Sequence, residues 1–314
     1  MRWIHGDINR NDAGIIAQTS KILFWLIWGG FLYFLFYRPL EMEDVWWHLS
    51  TGKWILNHFQ VPHYDLFPFE ENQAPKPWIF TQWLGSAIIY FAYQVGGYIG
   101  LIRFRAAILL CAVFVYVIHS SRRLPALYVI FLTSLLFYGL SSRILLRPAL
   151  FGFIFIQLVL IQLLGYYRTA DIKKLMAIPA LGVLWGNIHL GSFVYGLPLI
   201  LVFLFESIIQ FLQHWFDSQK VHDAGKFYKR IKDLSFTVVA YLLAFMVNPY
   251  GLDGAIYPFR VFLDPDYINF YKFDHFISEM QSPAILFSNM NGLPLYIIVL
   301  LFPWALLWEK KTDC

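Results

Sequence analysis

The stretch 22–69, "ILFWLIWGGFLYFLFYRPLEMEDVWWHLSTGKWILNHFQVPHYDLFPF", decides how the rest of the chain is read. Its first part, 22–38, is apolar and aromatic throughout, and a helix of this length approaches the ~20 residues needed to cross lipid. From Pro39 the character changes. Glu41, Glu43 and Asp44 arrive together, followed by paired tryptophans, three histidines and Asp65. Residues 1–21 are polar, and the apolar run that follows carries no small-residue cleavage site. They predict an uncleaved first membrane span rather than a secretory signal.

The composition agrees. The chain has 314 residues, 59% hydrophobic and only 14% charged, where a soluble domain carries about 25% charged residues. Aromatic residues reach 20%, and tryptophan and tyrosine gather at membrane–water interfaces. The expected class is an all-α integral membrane protein. Cys111 and Cys314 stand in an apolar stretch and at the last position, so neither a disulfide framework nor a cysteine metal motif is expected. The net charge of +4 is small. Membrane is the expected environment, and no nucleic-acid partner is expected.

Further apolar runs are 99–120, 124–142, 149–167, 174–188, 191–213, 233–249 and 292–308, with a short ambiguous one at 82–97 that ends in Gly96-Gly97. Basic clusters occur at Arg122-Arg123, at 168–174, across 220–233 and at Lys310-Lys311. The positive-inside rule places them together in the cytoplasm. That holds only if 82–97 does not cross. The sequence therefore predicts about eight spans in one transmembrane domain, 1–314, with both termini cytoplasmic. Residues 1–21 form a cytoplasmic segment, 39–98 the first outer loop, 214–232 a cytoplasmic loop and 249–291 the last outer loop. Most of the polar residues suited to chemistry then lie on the outer face.

In the first outer loop, Asp44 opens an expected amphipathic helix, 45–58, on which Asp44, His48 and Thr51 share a side. Asp44 has two readings: an N-cap accepting backbone N–H bonds, or a general base or metal ligand held at the membrane surface. Asp65 reads as an Asx-turn residue or as a second reactive carboxylate. His48, His58 and His63 leave a divalent metal open, although their spacing fits no metal motif. In the other outer loops, Arg143 and Arg147 lie four apart on a helical face, with Arg103 and Arg105 near the outer end of the second span. Such arginines meet either lipid headgroups or the phosphate of a bound substrate. Asn187 and His189 interrupt an apolar run, as a hairpin turn does or as a cavity lining does. Glu279 is a further candidate carboxylate in the last outer loop.

Together these features resemble the C-type superfamily of membrane glycosyltransferases, in which an acidic residue follows the first span and two juxtamembrane helices occupy a long first outer loop. More closely, "DVWWHLSTGKWIL", "VPHYDLFPF", "LRP", "LWGNIHLG", "NPYG" and "SEMQSP" resemble a group of bacterial multispan proteins with similarly ordered motifs. In this chain Phe67-Pro68 stands in place of a Phe-Ser pattern, and "HLGS" in place of a double glycine. The resemblance implies a location in the bacterial inner (cytoplasmic) membrane, and transfer of a sugar from a polyprenyl-phosphate or polyprenyl-diphosphate carrier to an acceptor on the outer face. It matches Asp44 to the first-loop acid and 82–97 to the second juxtamembrane helix. With the acids, arginines and His189 gathered on the outer face, Asp44, Asp65 and His48 are the catalytic candidates, and Arg143, Arg147, His189, Asn187, Glu279 and Arg103 the substrate-binding candidates. Larger relatives carry additional spans or a soluble domain. The alternative expectation is therefore a non-catalytic membrane subunit that binds lipid or a partner of a glycan-assembly system.

Overall fold

A computed structural model describes residues 10–40, 44–67, 77–120, 128, 130–134, 144–216 and 224–263. The chain is mostly helical, with no strand among the described residues. In order come α1 (Arg10–Phe36), α2 (Asp44–His58), α3 (Trp83–Ser120), a 3₁₀ turn (Pro148–Phe151), α4 (Gly152–Thr169), α5 (Ile172–Ile188), the short α6 (Leu190–Phe193), α7 (Gly196–Phe216), α8 (Ala224–Ala244) and α9 (Gly251–Leu263).

Four of the described segments are long and apolar enough to cross a membrane: Gln18–Phe36, Trp83–His119, Pro148–Thr169 and Leu190–Phe216. The expected runs at 149–167 and 191–213 fall within them, and the run at 22–38 does so as far as Phe36. The run at 174–188 is helical but only 17 residues long in α5. Of the run at 233–249, residues 233–244 form the second half of α8, whose first half is basic, and 245–249 are turns. Most of 124–142 and all of 292–308 lie outside the described residues.

The two segments read as 82–97 and 99–120 join in α3, and Gly97 divides them. Gly97 sits at φ 58°, outside helical geometry, in a region where a side chain would clash with the backbone. Unbroken, a helix of 38 residues would reach ~57 Å, nearly twice the ~30 Å hydrocarbon core. The break separates a first arm, 83–96, from a second arm, 98–120, that alone has the length to span.

Local signals end and start the other helices. Ala170 closes α4 in the left-handed conformation at φ 52°, its N–H bonded to Tyr166 O. Asp171 then caps α5 by accepting from Lys173 N at 3.0 Å, the expected role of aspartate at that position.

Packing forms two buried clusters. One joins α1, α2 and α3 through Trp28, Leu32, Val45, Leu49, Ile89 and Leu109. The other joins α4 to α8 through Val159, Leu163, Ile178, Trp185, Phe193 and Tyr241. Phe151 packs against both. Tyr241 Oη donates to Phe193 O at 2.8 Å, and Phe193 stacks on its ring at 4.3 Å. In lipid, close packing and such bonds, rather than water exclusion, hold helices together.

Candidate functional site

Asp44 is the first residue of α2 and His48 stands one turn later, so both lie on the same face. That face turns toward α3. His48 is 3% exposed and Thr51 is fully buried. Gly52 allows the approach: a Cβ there would stand 2.2 Å from the Ser86 carbonyl oxygen. The two helices are thus drawn together where His48 Nδ1 meets Ser86 Oγ at 2.9 Å. A hydroxyl both donates and accepts, so this bond permits either His48 tautomer.

Arg147 reaches Asp44 from far along the chain. Its Nη2 lies 2.5 Å from Asp44 Oδ2, with the carboxylate side chain half exposed and the arginine a quarter exposed. Arg147 is extended (φ −133°, ψ 155°), as the residue before a proline is. Pro148 packs against Gly85, where an added Cβ would meet its ring at 2.4 Å and Ile188 O at 2.7 Å. The glycine on α3, the proline after Arg147 and the end of α5 therefore meet at one point.

His189 completes the cluster. It ends α5 and caps α6, with Nδ1 accepting from Ser192 N at 2.8 Å. An Nδ1 that accepts leaves the proton of the neutral ring on Nε2. Ser192 Oγ accepts from Trp185 Nε1 at 2.8 Å and donates to His189 O at 3.2 Å. Leu190 N donates to Thr81 O at 3.0 Å, tying this corner to the start of α3.

Burial pushes the His48 pKa down to about 3, with His189 and Arg147 adding to the effect. Burial likewise holds His189 down, to about 4, again with Arg147 contributing. Arg147 acts on both rings and His189 on His48, which puts the three in one electrostatic neighbourhood. At neutral pH both rings are uncharged, beside one guanidinium and one carboxylate. The arrangement can bind an anion, supply a neutral N–H donor from His189, and hold a carboxylate close by.

The remaining candidates fall elsewhere. Asn187 is an internal brace. Its Oδ1 accepts from Trp83 Nε1 at 2.9 Å, and its Nδ2 donates to Val183 O at 2.8 Å and Val247 O at 2.7 Å. Asp65 Oδ1 accepts from Phe67 N at 3.0 Å, the Asx turn that was one of its two readings. Arg103 is exposed on α3. Arg143 and Glu279 lie outside the described residues. Among the described residues no three metal-binding side chains gather at one point. Asp44 is engaged by Arg147 and His48 by Ser86.

Comparison with family models, curated proteins and solved structures gives no match.

Three further residues shape the site. Arg105, 5% exposed, donates to the carbonyls of Phe36 at 3.1 Å, Arg38 at 2.5 Å and Pro39 at 3.4 Å. It thereby caps the end of α1, where unpaired carbonyls and the helix dipole favour a cation. Tyr98 Oη accepts from Leu40 N at 3.0 Å. Together they fix the strand of chain that leads to Asp44. The sequence did hold a signal for this, because Arg105 shares the buried stripe of Leu101, Ile108, Leu109 and Ala112, while Arg103, two positions away, falls on the opposite face. The third is Tyr250, in the Asn-Pro-Tyr-Gly turn. Its hydroxyl donates to Pro62 O at 2.7 Å and accepts from Phe80 N at 3.0 Å.

An open groove of about 500 Å³ lies beside Asn187, between the start of α3, α5 and residues 247–249. Its lining is mostly apolar and contains none of Asp44, His48, Arg147 or His189. The polar cluster, where charge and donors converge, is the stronger candidate for chemistry.

Proposed function

We propose that this chain is a glycosyltransferase-like enzyme of the bacterial inner membrane. It would cross about eight times with both termini cytoplasmic, and transfer a sugar from a polyprenyl-phosphate or -diphosphate carrier to an acceptor outside. The observation that carries the reading is the contact between Asp44 and Arg147, flanked by the neutral rings of His48 and His189.

In this mechanism the carrier phosphate displaces Asp44 from Arg147, since a guanidinium pairs as well with phosphate as with carboxylate. The freed Asp44 accepts the proton of the acceptor hydroxyl. The acceptor oxygen bonds to the anomeric carbon as the bond from that carbon to the phosphate oxygen breaks. The electron pair leaves with the phosphate, whose charge is met by Arg147 and the His189 Nε2–H. Donors aimed in advance at developing charge supply a large share of catalysis. Asp44 is half exposed and returns its proton to water. No step passes through a metal. Asn187 and Asp65 are given no step here: Asn187 and Asp65 Oδ1 bond within the chain.

The test is binding of polyprenyl-phosphate and polyprenyl-diphosphate sugars to the full chain in lipid nanodiscs. Arg147→Ala is expected to weaken binding by tenfold or more, on the order of one charge-assisted contact. Asp44→Asn is expected to keep or improve binding, by releasing Arg147, while abolishing transfer. Asn187→Ala is expected to lower stability with little change in affinity per folded molecule. Absence of binding by the wild type across both carriers would overturn the reading and favour a partner-binding subunit. Full transfer by Asp44→Asn would remove the proposed base.

A further inference from the structure

At the end of the helix bundle formed by α4, α7 and α8, three separate chain segments place cations and aromatic rings at one level. α8 changes character along its length. Its first half carries Lys226, Lys229 and Lys232, all exposed. Its second half exposes Phe236, Val239, Leu242 and Leu243. An exposed apolar face of that size beside a charged one suits the boundary between hydrocarbon and headgroups. At 1.5 Å per residue, Lys229 stands only ~10 Å along the axis from Phe236, about one Debye length at physiological salt.

α7 fixes the level independently. It exposes Val202, Phe205, Ile209 and Leu212 along its length, then Trp215 (71%) and Phe216 (82%) at its end. Tryptophan at the end of an apolar helix marks the headgroup region. His214 meets Phe227 with ring centroids 5.8 Å apart, so Trp215 is level with the first lysines of α8.

The end of α4 joins them. Tyr166 Oη donates to Asp233 Oδ2 at 2.7 Å. Arg230 donates to Tyr167 O at 3.0 Å and its guanidinium lies 4.5 Å over the Tyr167 ring. These bonds bring exposed Arg168 and Lys173, in the α4–α5 turn, beside the lysines of α8. Among the described residues, two carboxylates at this end make other bonds. Asp233 accepts from Tyr166, and Asp171 caps α5. Lys226, Lys229 and Lys232 are exposed, and so within reach of a partner outside the chain.

We propose that this end of the bundle is a binding platform for anionic phospholipid headgroups, centred on Lys226, Lys229 and Lys232 and bordered by Trp215. The charge fits a phosphate-bearing headgroup of net negative charge, and the adjoining apolar faces of α7 and α8 receive its acyl chains. The platform is separate from the Asp44–Arg147 cluster and does not depend on its reading.

Retention of phosphatidylglycerol against phosphatidylcholine, measured by native mass spectrometry on the full purified chain, tests it. The wild type is expected to retain phosphatidylglycerol several-fold better, with the preference shrinking as salt rises from about 50 mM to about 500 mM. Each cation near an anionic surface contributes roughly fivefold. The triple change Lys226→Gln/Lys229→Gln/Lys232→Gln is therefore expected to remove most of the preference, leaving the two lipids retained nearly equally. The matching triple lysine-to-arginine change is expected to retain it, and so is Lys53→Gln on α2. Equal retention of the two lipids by the wild type, a preference insensitive to salt, or a preference unchanged in the glutamine variant would each overturn the proposal. Should the glutamine variant fail to fold, the wild-type salt series decides alone.

Discussion

His48 and His189 show how a single side chain can carry both the site and a pH limit. Each is held neutral by burial, at about 3 and about 4 respectively, against an ordinary histidine value near 6.5. Below about pH 6.5 the unfolded chain takes up protons that the native rings refuse. Stability contributed by these groups is therefore complete above that pH and falls as pH drops toward their native values. The thermal midpoint of the full chain in detergent is expected to decline between about pH 7 and pH 4.5. His48→Gln/His189→Gln is expected to flatten that slope. An unchanged slope in the double variant would show that the two rings are solvated. The sequence made one part of this visible: the spacing of Asp44, His48 and Thr51 predicts a shared face, and His48 and Thr51 are both buried on it. It could not show that Arg147 closes on Asp44, because that contact depends on the meeting of Gly85, Pro148 and Ile188. Nor could it tell a brace from a ligand at Asn187, whose partners Trp83 and Val247 lie far away in the chain.

Arg105 shows how one helix sets the end of another. α3 supplies the cation and α1 the carbonyls, so the exit angle of α1 is set by a residue beyond the whole of α2. Hydrogen bonds from a charged donor contribute about 1.5–3 kcal/mol each, and a buried arginine also carries a desolvation cost. Arg105→Met is expected to lower stability by a net amount of about 2 kcal/mol. Arg103→Met, on the exposed side of the same helix, is expected to change it by less than about 0.5 kcal/mol. Thermal or chemical unfolding of the two variants side by side gives the comparison. Equal losses would mean that the helix face, not the capping bonds, is what matters. Hydropathy alone could locate α3 but not its division. The glycine pair at Gly96-Gly97 hinted at a boundary, and the left-handed φ of Gly97 is its physical form.

Across the whole molecule, two helical clusters meet at Phe151, and the Asp44–Arg147 cluster sits where they join. α2 and α3 bring Asp44, His48 and Ser86 from one side, while the 3₁₀ turn and the end of α5 bring Arg147 and His189 from the other. Helical class and four of the eight expected spans were legible because lipid imposes length and composition on a span. The junction was not, because it depends on which small residues let helices touch. The Tyr250 hydroxyl adds a constraint of another kind. It grips the chain at Pro62 and again at Phe80, so both ends of the intervening stretch are anchored to the same atom whatever path lies between them. The two ends are also paired with each other, Trp78 N donating to His63 O at 3.0 Å. A short epitope inserted between Gln73 and Ala74 is expected to leave expression and thermal midpoint within experimental scatter. Antibody staining of intact spheroplasts would then report directly which side of the membrane the Asp44 loop faces.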